Sequence, residues 1–238
     1  MKIGLVGDGQ MGQVLKELIA VDDTALFPKT PVMDAEVLDY PETPAVLIDF
    51  SHPNNLKKIS AYALAHELPV VIATTGYSEE QIAEIHALSE KVPVLFSANF
   101  SLGVIVMNRL VKEMTHYLGH DFDIEVIEQH HNKKIDAPSG TAKMLVDTIN
   151  EELHYKEVHG RSGVAPRTKQ EIGIHSVRGG TIVGQHEVLF AGTDETLTLK
   201  HEAFSKKIFA KGALKGALWV TTKPAALYSM EDCLFGGK

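Results

Sequence analysis

The feature that most constrains the fold of this chain is a glycine-rich turn near its N-terminus. The apolar run Ile3–Val6 predicts a short buried strand, and apolar residues at helical spacing in Val14–Ile19 predict a helix. The turn between them, Gly7–Gly12, has the pattern G-x-G-x-x-G. Glycines permit a tight turn and let the backbone approach a pyrophosphate closely, while the helix N-terminus attracts its negative charge. A strand, this turn and a helix in succession therefore predict a dinucleotide-binding unit rather than an ordinary glycine turn.

Strands and helices continue to alternate up to about residue 100. Apolar runs at 45–50, 69–73 and 92–96 predict buried strands, and amphipathic segments follow the first two of them. This alternation is typical of an α/β fold, here a Rossmann-like doubly wound parallel sheet. The second strand of that sheet is expected at Thr24–Phe27.

Small polar turns follow two of the predicted strands, Ala73–Gly76 after one and Ser97–Phe100 after another. In doubly wound sheets, ligands bind beyond the carboxyl ends of the strands, where the glycine turn also lies. We therefore expect the glycine turn and both polar turns to contact the cofactor. The expected residues are Gly7, Asp8, Gly9, Gln10, Met11, Gly12, Ala73, Thr74, Thr75, Ser97, Ala98, Asn99 and Phe100.

The residue that would distinguish NADH from NADPH follows the expected second strand. Neither Asp nor Glu stands there, and the strand is followed by Pro28, Lys29 and Thr30. A carboxylate at this place binds the ribose hydroxyls of NADH, whereas a lysine can meet the 2′-phosphate of NADPH. The cofactor is therefore predicted to be NADPH or NADH, with Lys29 either a phosphate ligand or a solvated turn residue.

The pattern changes after residue 101. A long amphipathic helix, a strand of alternating character, a helix from Ser139 to about Leu153 and further alternating strands predict a smaller α+β domain. Its mixed sheet is expected to have about four strands, with a loop over residues 154–170. We assign residues 1–100 and 206–238 to a dinucleotide-binding domain and 101–205 to a substrate-binding and oligomerisation domain. A sheet face without helices is a natural surface for subunit association.

The segment His130–Thr141 concentrates chemistry that fits a small anion. It holds two imidazoles, two ammonium groups and a capped helix start, in a chain whose formal net charge is −8. A hydride acceptor such as an imine also needs a proton, which histidine usually supplies near neutral pH, and a nearby lysine lowers the pKa of that imidazole. A solvated charged loop is the plain alternative. No metal is expected, because His130 and His131 have no third ligand at a metal-like spacing.

The segment Glu128–Thr141 resembles the motif E-x-H-H-x-x-K-x-D-A-P-S-G-T of the bacterial 4-hydroxy-tetrahydrodipicolinate reductases, also called dihydrodipicolinate reductases. The resemblance extends to the glycine turn, both polar turns, and residues 174–187 and 209–213. It implies an NAD(P)H-dependent reduction of a small cyclic dicarboxylate, 4-hydroxy-tetrahydrodipicolinate, in lysine and diaminopimelate biosynthesis. It also implies a homotetramer assembled through the C-terminal sheets.

The same resemblance assigns roles to individual residues. His130 matches the proton donor and acceptor of the family, and Lys134 matches its second proton donor. His131, Gly140 and Thr141 match the residues that bind the substrate carboxylates.

Composition narrows the partners and the location. The acidic charge balance argues against nucleic acid as a partner, and no apolar run reaches the length of a membrane span. The single cysteine, Cys233, excludes an intramolecular disulfide and fits a cytoplasmic protein. Two alternatives stay open: a related Rossmann reductase acting on an imine or aldehyde, and a nucleotide-sensing protein without turnover. The intact His-His-x-x-Lys set argues against the second.

Overall fold

The computed structural model describes residues 1–21, 32–33, 38 and 42–236. They belong to two compact units, one made of Met1–Leu102 with Lys206–Lys238 and the other of Gly103–Ser205. The expected second strand Thr24–Phe27 and the candidate cofactor residue Lys29 lie outside the described residues.

Within the described residues the chain forms eleven strands and seven α-helices, with a 3₁₀ turn at Pro53–Asn55. The strands are β1 (Ile3–Val6), β2 (Val32–Met33), β3 (Val46–Asp49), β4 (Val70–Ile72), β5 (Val94–Phe96), β6 (Asp123–His130), β7 (Lys156–His159), β8 (Glu171–Arg178), β9 (Gly184–Ala191), β10 (Thr196–Ala203) and β11 (Leu227–Tyr228). The helices are α1 (Gln10–Val21), α2 (Leu56–Ala65), α3 (Glu79–Ser89), α4 (Leu102–Leu118), α5 (Gly140–Leu153), α6 (Lys207–Val220) and α7 (Met230–Phe235). None of these helices is long and apolar enough to cross a membrane.

The first unit is built on a six-stranded sheet in the order β11-β5-β4-β3-β1-β2. All neighbouring strands run parallel. β1, β3 and β4 are buried along their whole length, as expected for a parallel sheet covered by helices on both faces. The strand order reverses at β1, which carries the glycine turn at its carboxyl end, and such a reversal is where doubly wound sheets bind ligands. The predicted Rossmann-like α/β fold is confirmed.

The C-terminal segment belongs to this first unit, where β11 extends the sheet by pairing with β5. A two-residue strand has too little periodicity to be predicted from sequence. The helix α3, which follows β4 in the chain, begins with a capping box. Ser78 Oγ accepts from the Gln81 amide, and Gln81 Oε1 accepts from the Ser78 amide. This cap fixes the end of the turn that follows β4.

The second unit is built on a five-stranded mixed sheet in the order β10-β9-β6-β8-β7. Its central strand β6 pairs antiparallel with β9 and parallel with β8. Side chains alternate along β6, so Glu128 and His130 share a face with Ile124 and Val126, which join the apolar core beneath α4 and α5. The sheet thereby delivers two polar side chains to the rim of an apolar core.

This sheet has one strand more than the sequence predicts. The stretch 154–170, expected as a loop, contains β7, which pairs parallel with β8 at the sheet edge. The sequence of β7, Lys-Glu-Val-His, has one apolar residue, and the strand is mostly exposed. An edge strand with so little burial leaves no alternating pattern to detect.

The opposite face of the second sheet carries four charged or titratable residues that we call the Glu125 cluster: Glu125, Arg161, Arg167 and His175. Glu125 Oε1 accepts from Arg161 Nη2 at 3.0 Å and from Arg167 Nε at 3.3 Å. Glu125 Oε2 lies 2.8 Å from His175 Nε2. Because both arginines follow β7, these contacts fasten the segment between β7 and β8 to the sheet.

Candidate active site

The three glycines of the glycine turn serve different purposes. Gly7 has a φ of +108°, and a Cβ on it would lie 2.5 Å from the Phe50 carbonyl oxygen. A Cβ on Gly12 would lie 2.1 Å from the Gly7 carbonyl oxygen. A Cβ on Gly9 would meet nothing within 4 Å. Gly7 and Gly12 are thus required by close backbone packing, whereas Gly9 leaves open space at the start of α1, where a pyrophosphate can approach the helix N-terminus.

Polar side chains of the glycine turn are engaged within the first unit. The Asp8 carboxylate pairs with the Lys16 ammonium, and the Gln10 side-chain oxygen accepts from the Lys206 ammonium at the start of α6. These contacts hold the two ends of the turn against α1 and α6. The backbone amides of the glycine turn, rather than these side chains, are therefore the groups suited to bind an anion.

Two cavities lie along the carboxyl edge of the first sheet, and Met11 and Phe50 line both of them. The larger, of about 660 Å³, is bounded by the residues that follow β3 and by Ala73–Ser78. The smaller, of about 260 Å³, is completed by Ala73, Ala98, Asn99, Phe100, Lys206 and Phe209. The structure therefore brings the glycine turn and both polar turns to one edge, and the two cavities fit a long, two-ended ligand such as a dinucleotide.

The polar turns are held by their own hydrogen bonds. Thr74 Oγ1 accepts from the Ser51 amide at 2.9 Å, which joins the turns after β4 and β3. Ser97 Oγ donates to the Asn99 carbonyl oxygen at 2.8 Å, and Asn99 Oδ1 accepts from the Ser101 amide at 2.8 Å. These hydrogen bonds fix the shape of the two polar turns.

The second set of expected residues lies at the end of β6. His130 is the last residue of this strand and is nearly buried. Its Nδ1 lies 2.6 Å from Glu128 Oε2. Burial lowers the pKa of His130, Glu128 raises it, and the positive charges of Lys134 and Arg178 lower it further. The balance keeps the imidazole more acidic than an ordinary histidine.

The Glu128 carboxylate is fully buried and accepts several hydrogen bonds, one of them from the Ser176 side chain. Arg178 grips it with both terminal nitrogens, Nη1 to Oε2 at 2.8 Å and Nη2 to Oε1 at 2.7 Å. The Ser139 amide donates to Oε1 at 3.1 Å, and His130 occupies Oε2. Burial raises the pKa of Glu128, but the hydrogen bonds of Arg178 and His130 outweigh it and hold the pKa at about 2. The group is a carboxylate throughout the physiological range.

The loop after His130 carries His131 and Lys134 and is fixed at both ends. The Lys134 ammonium bonds Asp136 Oδ1 at 2.7 Å, and the Lys134 amide bonds the His131 carbonyl oxygen at 3.1 Å. Arg178 Nη2 also donates to the Asp136 carbonyl oxygen at 2.6 Å. The arginine that grips Glu128 therefore also holds the loop that carries Lys134. The loop ends with a cis peptide bond before Pro138.

The helix α5 begins directly after this loop, with Ser139 as its N-cap. Ser139 Oγ accepts from the Ala142 amide at 3.2 Å and lies 2.9 Å from His186 Nε2. Burial lowers the pKa of His186 to about 4, so this histidine is neutral near pH 7. Gly140 and Thr141 occupy the first two positions of the helix, and a Cβ on Gly140 would meet nothing within 4 Å. The helix start therefore has open space beside Gly140, and a helix N-terminus favours a carboxylate.

The expected residues thus fall into two groups with one omission. His130, His131, Lys134, Gly140 and Thr141 lie on one strand end, one loop and one helix start of the second unit. The expected cofactor residues lie on one edge of the first unit, apart from Lys29, which the structure does not describe. Among the described residues, no cluster of three or more His, Cys, Asp or Glu side chains could hold a metal ion.

Sequence reasoning assigned no role to Glu128, Arg178 or His186, which the structure places around His130. Strand alternation was a usable signal for Glu128, because residues two apart on a strand share a face. Arg178 lies 50 positions from Glu128, and His186 lies 47 from Ser139. Their contacts depend on the pairing of β6 with β8 and β9, which no local pattern reveals.

Comparison with known proteins agrees with this arrangement. The dihydrodipicolinate reductase N-terminus model matches residues 1–100, and the corresponding C-terminus model matches residues 103–234. A 4-hydroxy-tetrahydrodipicolinate reductase of Clostridium tetani is 43% identical, covering 98% of this chain and 96% of the relative. One from Rickettsia rickettsii is 42% identical and covers 98% of each chain.

A solved structure supports the fold independently. The dipicolinate-bound dihydrodipicolinate reductase from Paenisporosarcina sp. TG-14 superposes with a TM-score of 0.79 at 24% identity, covering 98% of this chain and 99% of that one. With two family models spanning both units and relatives above 40% identity over almost the whole length, this chain belongs to the dihydrodipicolinate reductase family.

Proposed function

We propose that this protein is an NAD(P)H-dependent oxidoreductase that reduces 4-hydroxy-tetrahydrodipicolinate to tetrahydrodipicolinate in lysine and diaminopimelate biosynthesis. The observation that carries the proposal is the end of β6, where His130, a lysine-bearing loop and a helix start meet around one buried carboxylate. This is a proton donor beside a carboxylate-binding backbone. The matching family and its named relatives support the same substrate.

The first unit is proposed to bind the cofactor, which supplies a hydride when bound. Gly7–Gly12 would hold the pyrophosphate at the start of α1, and the turns Ala73–Thr75 and Ser97–Phe100 would line the rest of the site. The open space at Gly9 and the two cavities are the features that fit this group.

The second unit is proposed to bind the substrate and move protons. Loss of the 4-hydroxyl as water takes a proton from a neighbouring ring carbon and gives one to the leaving oxygen, and addition of a hydride to the ring is completed by one further proton. Two proton-carrying groups are therefore useful, and we assign His130 as the main donor and acceptor with Lys134 as the second donor. His131 and the amides of Gly140 and Thr141 would bind the substrate carboxylates, since a helix start and a cationic loop both favour anions.

Turnover by the purified protein tests this function. Consumption of NADPH or NADH would be followed with 4-hydroxy-tetrahydrodipicolinate and, in parallel, with a cyclic imine that lacks both carboxylates and with an amino-acid-derived aldehyde. We expect reduction of the dicarboxylate alone. Preference for either of the other compounds would identify a different reductase, and nucleotide binding without turnover of any of them would indicate a sensor.

Cofactor choice is proposed to include NADPH, on the strength of Lys29 after the expected second strand. Steady-state rates with NADPH and NADH would be compared for the wild type and Lys29→Ala. A loss confined to NADPH would support a phosphate contact. Equal losses, or none, would return Lys29 to the role of a solvated turn residue.

We further propose that the protein works in the cytoplasm as a homotetramer assembled through the second sheet. The face that carries the Glu125 cluster is the one opposite the apolar core of α4 and α5, which makes it available to another subunit. Light scattering coupled to size-exclusion chromatography would give the mass. A monomer at assay concentration would contradict the assembly.

A further inference from the structure

One carboxylate links the two halves of the proposed substrate site. Glu128 Oε2 lies 2.6 Å from His130 Nδ1, while Glu128 Oε1 accepts from the amide of Ser139, the N-cap of α5, at 3.1 Å. The proton donor and the carboxylate-binding helix start therefore share a single buried group. Its position is set in turn by the two-point grip of Arg178.

We propose that Glu128 is a positioning residue for the reaction: it orients the imidazole of His130 and fixes the start of α5 relative to it. The inference rests on the proposed function, because it assumes that His130 transfers the proton. It adds a residue that acts only through other residues, since Glu128 is fully buried and its hydrogen bonds go to the protein.

The contact determines which nitrogen of His130 serves the substrate. Glu128 accepts a hydrogen bond from Nδ1, so the Nδ1 proton stays in place and Nε2 is the atom that gains and gives the transferred proton. Gly184 on β9 lies beside this nitrogen, and a Cβ there would be 3.1 Å from Nε2. A glycine at this point keeps the working edge of the ring uncrowded.

The charge of Glu128 also sets the proton affinity of His130. Burial lowers the pKa of His130, Glu128 raises it, and Lys134 and Arg178 lower it. The ring of His186, with its centroid 5.2 Å from that of His130, also faces it. Without the Glu128 charge, Arg178 would remain beside the imidazole with Asp136 still near it but without its bidentate partner. Loss of the charge therefore shifts the pKa of His130 downward through both changes.

The Glu125 cluster supplies a matched control on the same strand. Glu125 also pairs with a histidine and with arginines, His175 at 2.8 Å and Arg161 at 3.0 Å, but its side chain lies on the other face of the sheet. Glu125→Gln thus removes the same kind of contact on the face away from His130. Because subunit association is proposed through that face, light scattering would confirm that this variant keeps the wild-type mass.

The test compares Glu128→Gln, Glu125→Gln and the wild type in full-length protein. We would measure kcat and kcat/KM across pH, together with an NMR titration of histidine ring carbons without substrate, using the His130→Gln spectrum to assign the signal of His130. For Glu128→Gln we expect kcat to fall roughly 10- to 100-fold, the effect typical of losing a carboxylate that orients a functional histidine. The alkaline limb of its profile and its His130 titration should both move to lower pH, while Glu125→Gln keeps the wild-type values.

The outcomes separate the two proposals. Absence of wild-type turnover would defeat the proposed function, whereas an active wild type with an unchanged pH profile and His130 titration in Glu128→Gln would defeat the role of Glu128. If Glu128→Gln does not fold, Arg178→Lys takes its place. This variant keeps a positive charge beside Glu128 but cannot donate to both oxygens of its carboxylate at once. A folded Arg178→Lys with reduced kcat and a shifted His130 titration supports the proposal, and one with wild-type kcat and titration overturns it.

Discussion

Two clusters built from the same residue types lie on opposite faces of the second sheet: a glutamate of β6 joined to a histidine and to one arginine (Arg178) or two (Arg161 and Arg167). In one, Glu128 has a side chain that is 0% exposed, and its partners His130 and Arg178 are 11% and 19% exposed. In the Glu125 cluster, Glu125 is 18% exposed, and its partners His175, Arg161 and Arg167 are 32%, 36% and 20% exposed. The residue types are the same and the environments differ.

The two clusters differ in the backbone that surrounds the histidine, and this difference explains why one of them is a candidate active site. His130 ends its strand and is followed by a loop and a helix start, and Glu128 joins that helix start to the imidazole. His175 lies within β8 and pairs with Ile127 of β6. Glu125, the partner of His175, instead fastens the segment between β7 and β8 to the sheet. Burial and the neighbouring backbone therefore determine the role.

The largest expected effect comes from removing the two histidines. His130→Gln should lower kcat roughly 10²- to 10⁴-fold, the usual contribution of one proton-transfer group, because glutamine cannot exchange a proton near neutral pH. His175→Gln should leave kcat within about twofold, since the hydrogen bond of this ring goes to Glu125 on the face of the sheet away from His130. Steady-state kinetics on both variants, with circular dichroism as the check on folding, measures the contrast. Equal losses in the two variants would abolish the distinction between the clusters.

Removing the two carboxylates should separate the clusters by stability. Glu128→Ala leaves the largely buried Arg178 guanidinium without its bidentate carboxylate partner, which costs about 3–5 kcal/mol of unfolding free energy. Glu125→Ala breaks contacts with partly exposed partners and should cost about 1 kcal/mol or less. Urea denaturation at neutral pH gives both values. A Glu125→Ala variant that is as unstable as Glu128→Ala would mean that exposure does not distinguish the two.

The pH dependence of stability tests Glu128 below pH 4.5. Glu171, whose pKa is also lowered to about 2, loses its charge in the same range, so the contribution of Glu128 is the difference between the wild type and Glu128→Gln. The pKa of Glu128 is about 2 in the folded protein against an ordinary value of 4.5, so its contribution is complete above about pH 4.5 and is lost as the pH falls towards 2. Burial lowers the pKa of His186 to about 4 from 6.5, so the loss of stability caused by charging this histidine occurs at higher pH.

We therefore expect wild-type unfolding free energy to fall steeply between pH 4 and 2, and Glu128→Gln to lose less over the same interval. Urea midpoints at closely spaced pH values measure this, with Glu125→Gln as the reference. Identical slopes for the wild type and Glu128→Gln below pH 4 would show that the Glu128 pKa is not depressed by folding.

Many of the elements and site residues compared above could be predicted from the sequence, and there are physical reasons why the others could not. The glycine turn, the alternating strands and the His130–Thr141 segment have local signatures, because strand and helix periods and helix caps are written in neighbouring residues. The partners of Glu128 are not local: Arg178 meets it through the parallel pairing of β6 with β8. The edge strand β7 was missed because an exposed strand has no buried face to produce a pattern.

The smallest expected effects come from adding one methyl group beside each cluster. A Cβ at position 184 would lie 3.1 Å from His130 Nε2, a tight contact that a small ring shift can relieve. Gly184→Ala should therefore lower kcat/KM a few-fold, about 1 kcal/mol in transition-state stabilisation, with little change in Tm.

A Cβ at position 173 would lie 1.7 Å from Glu125 Oε2, so Gly173→Ala must displace that carboxylate and loosen its ion pairs. It should lower Tm by a few degrees, for a loss of about 1 kcal/mol, and leave kcat/KM unchanged. Kinetics and thermal melts on both variants complete the test, and a Gly184→Ala variant that loses Tm but not activity would show that the space beside Nε2 serves packing alone.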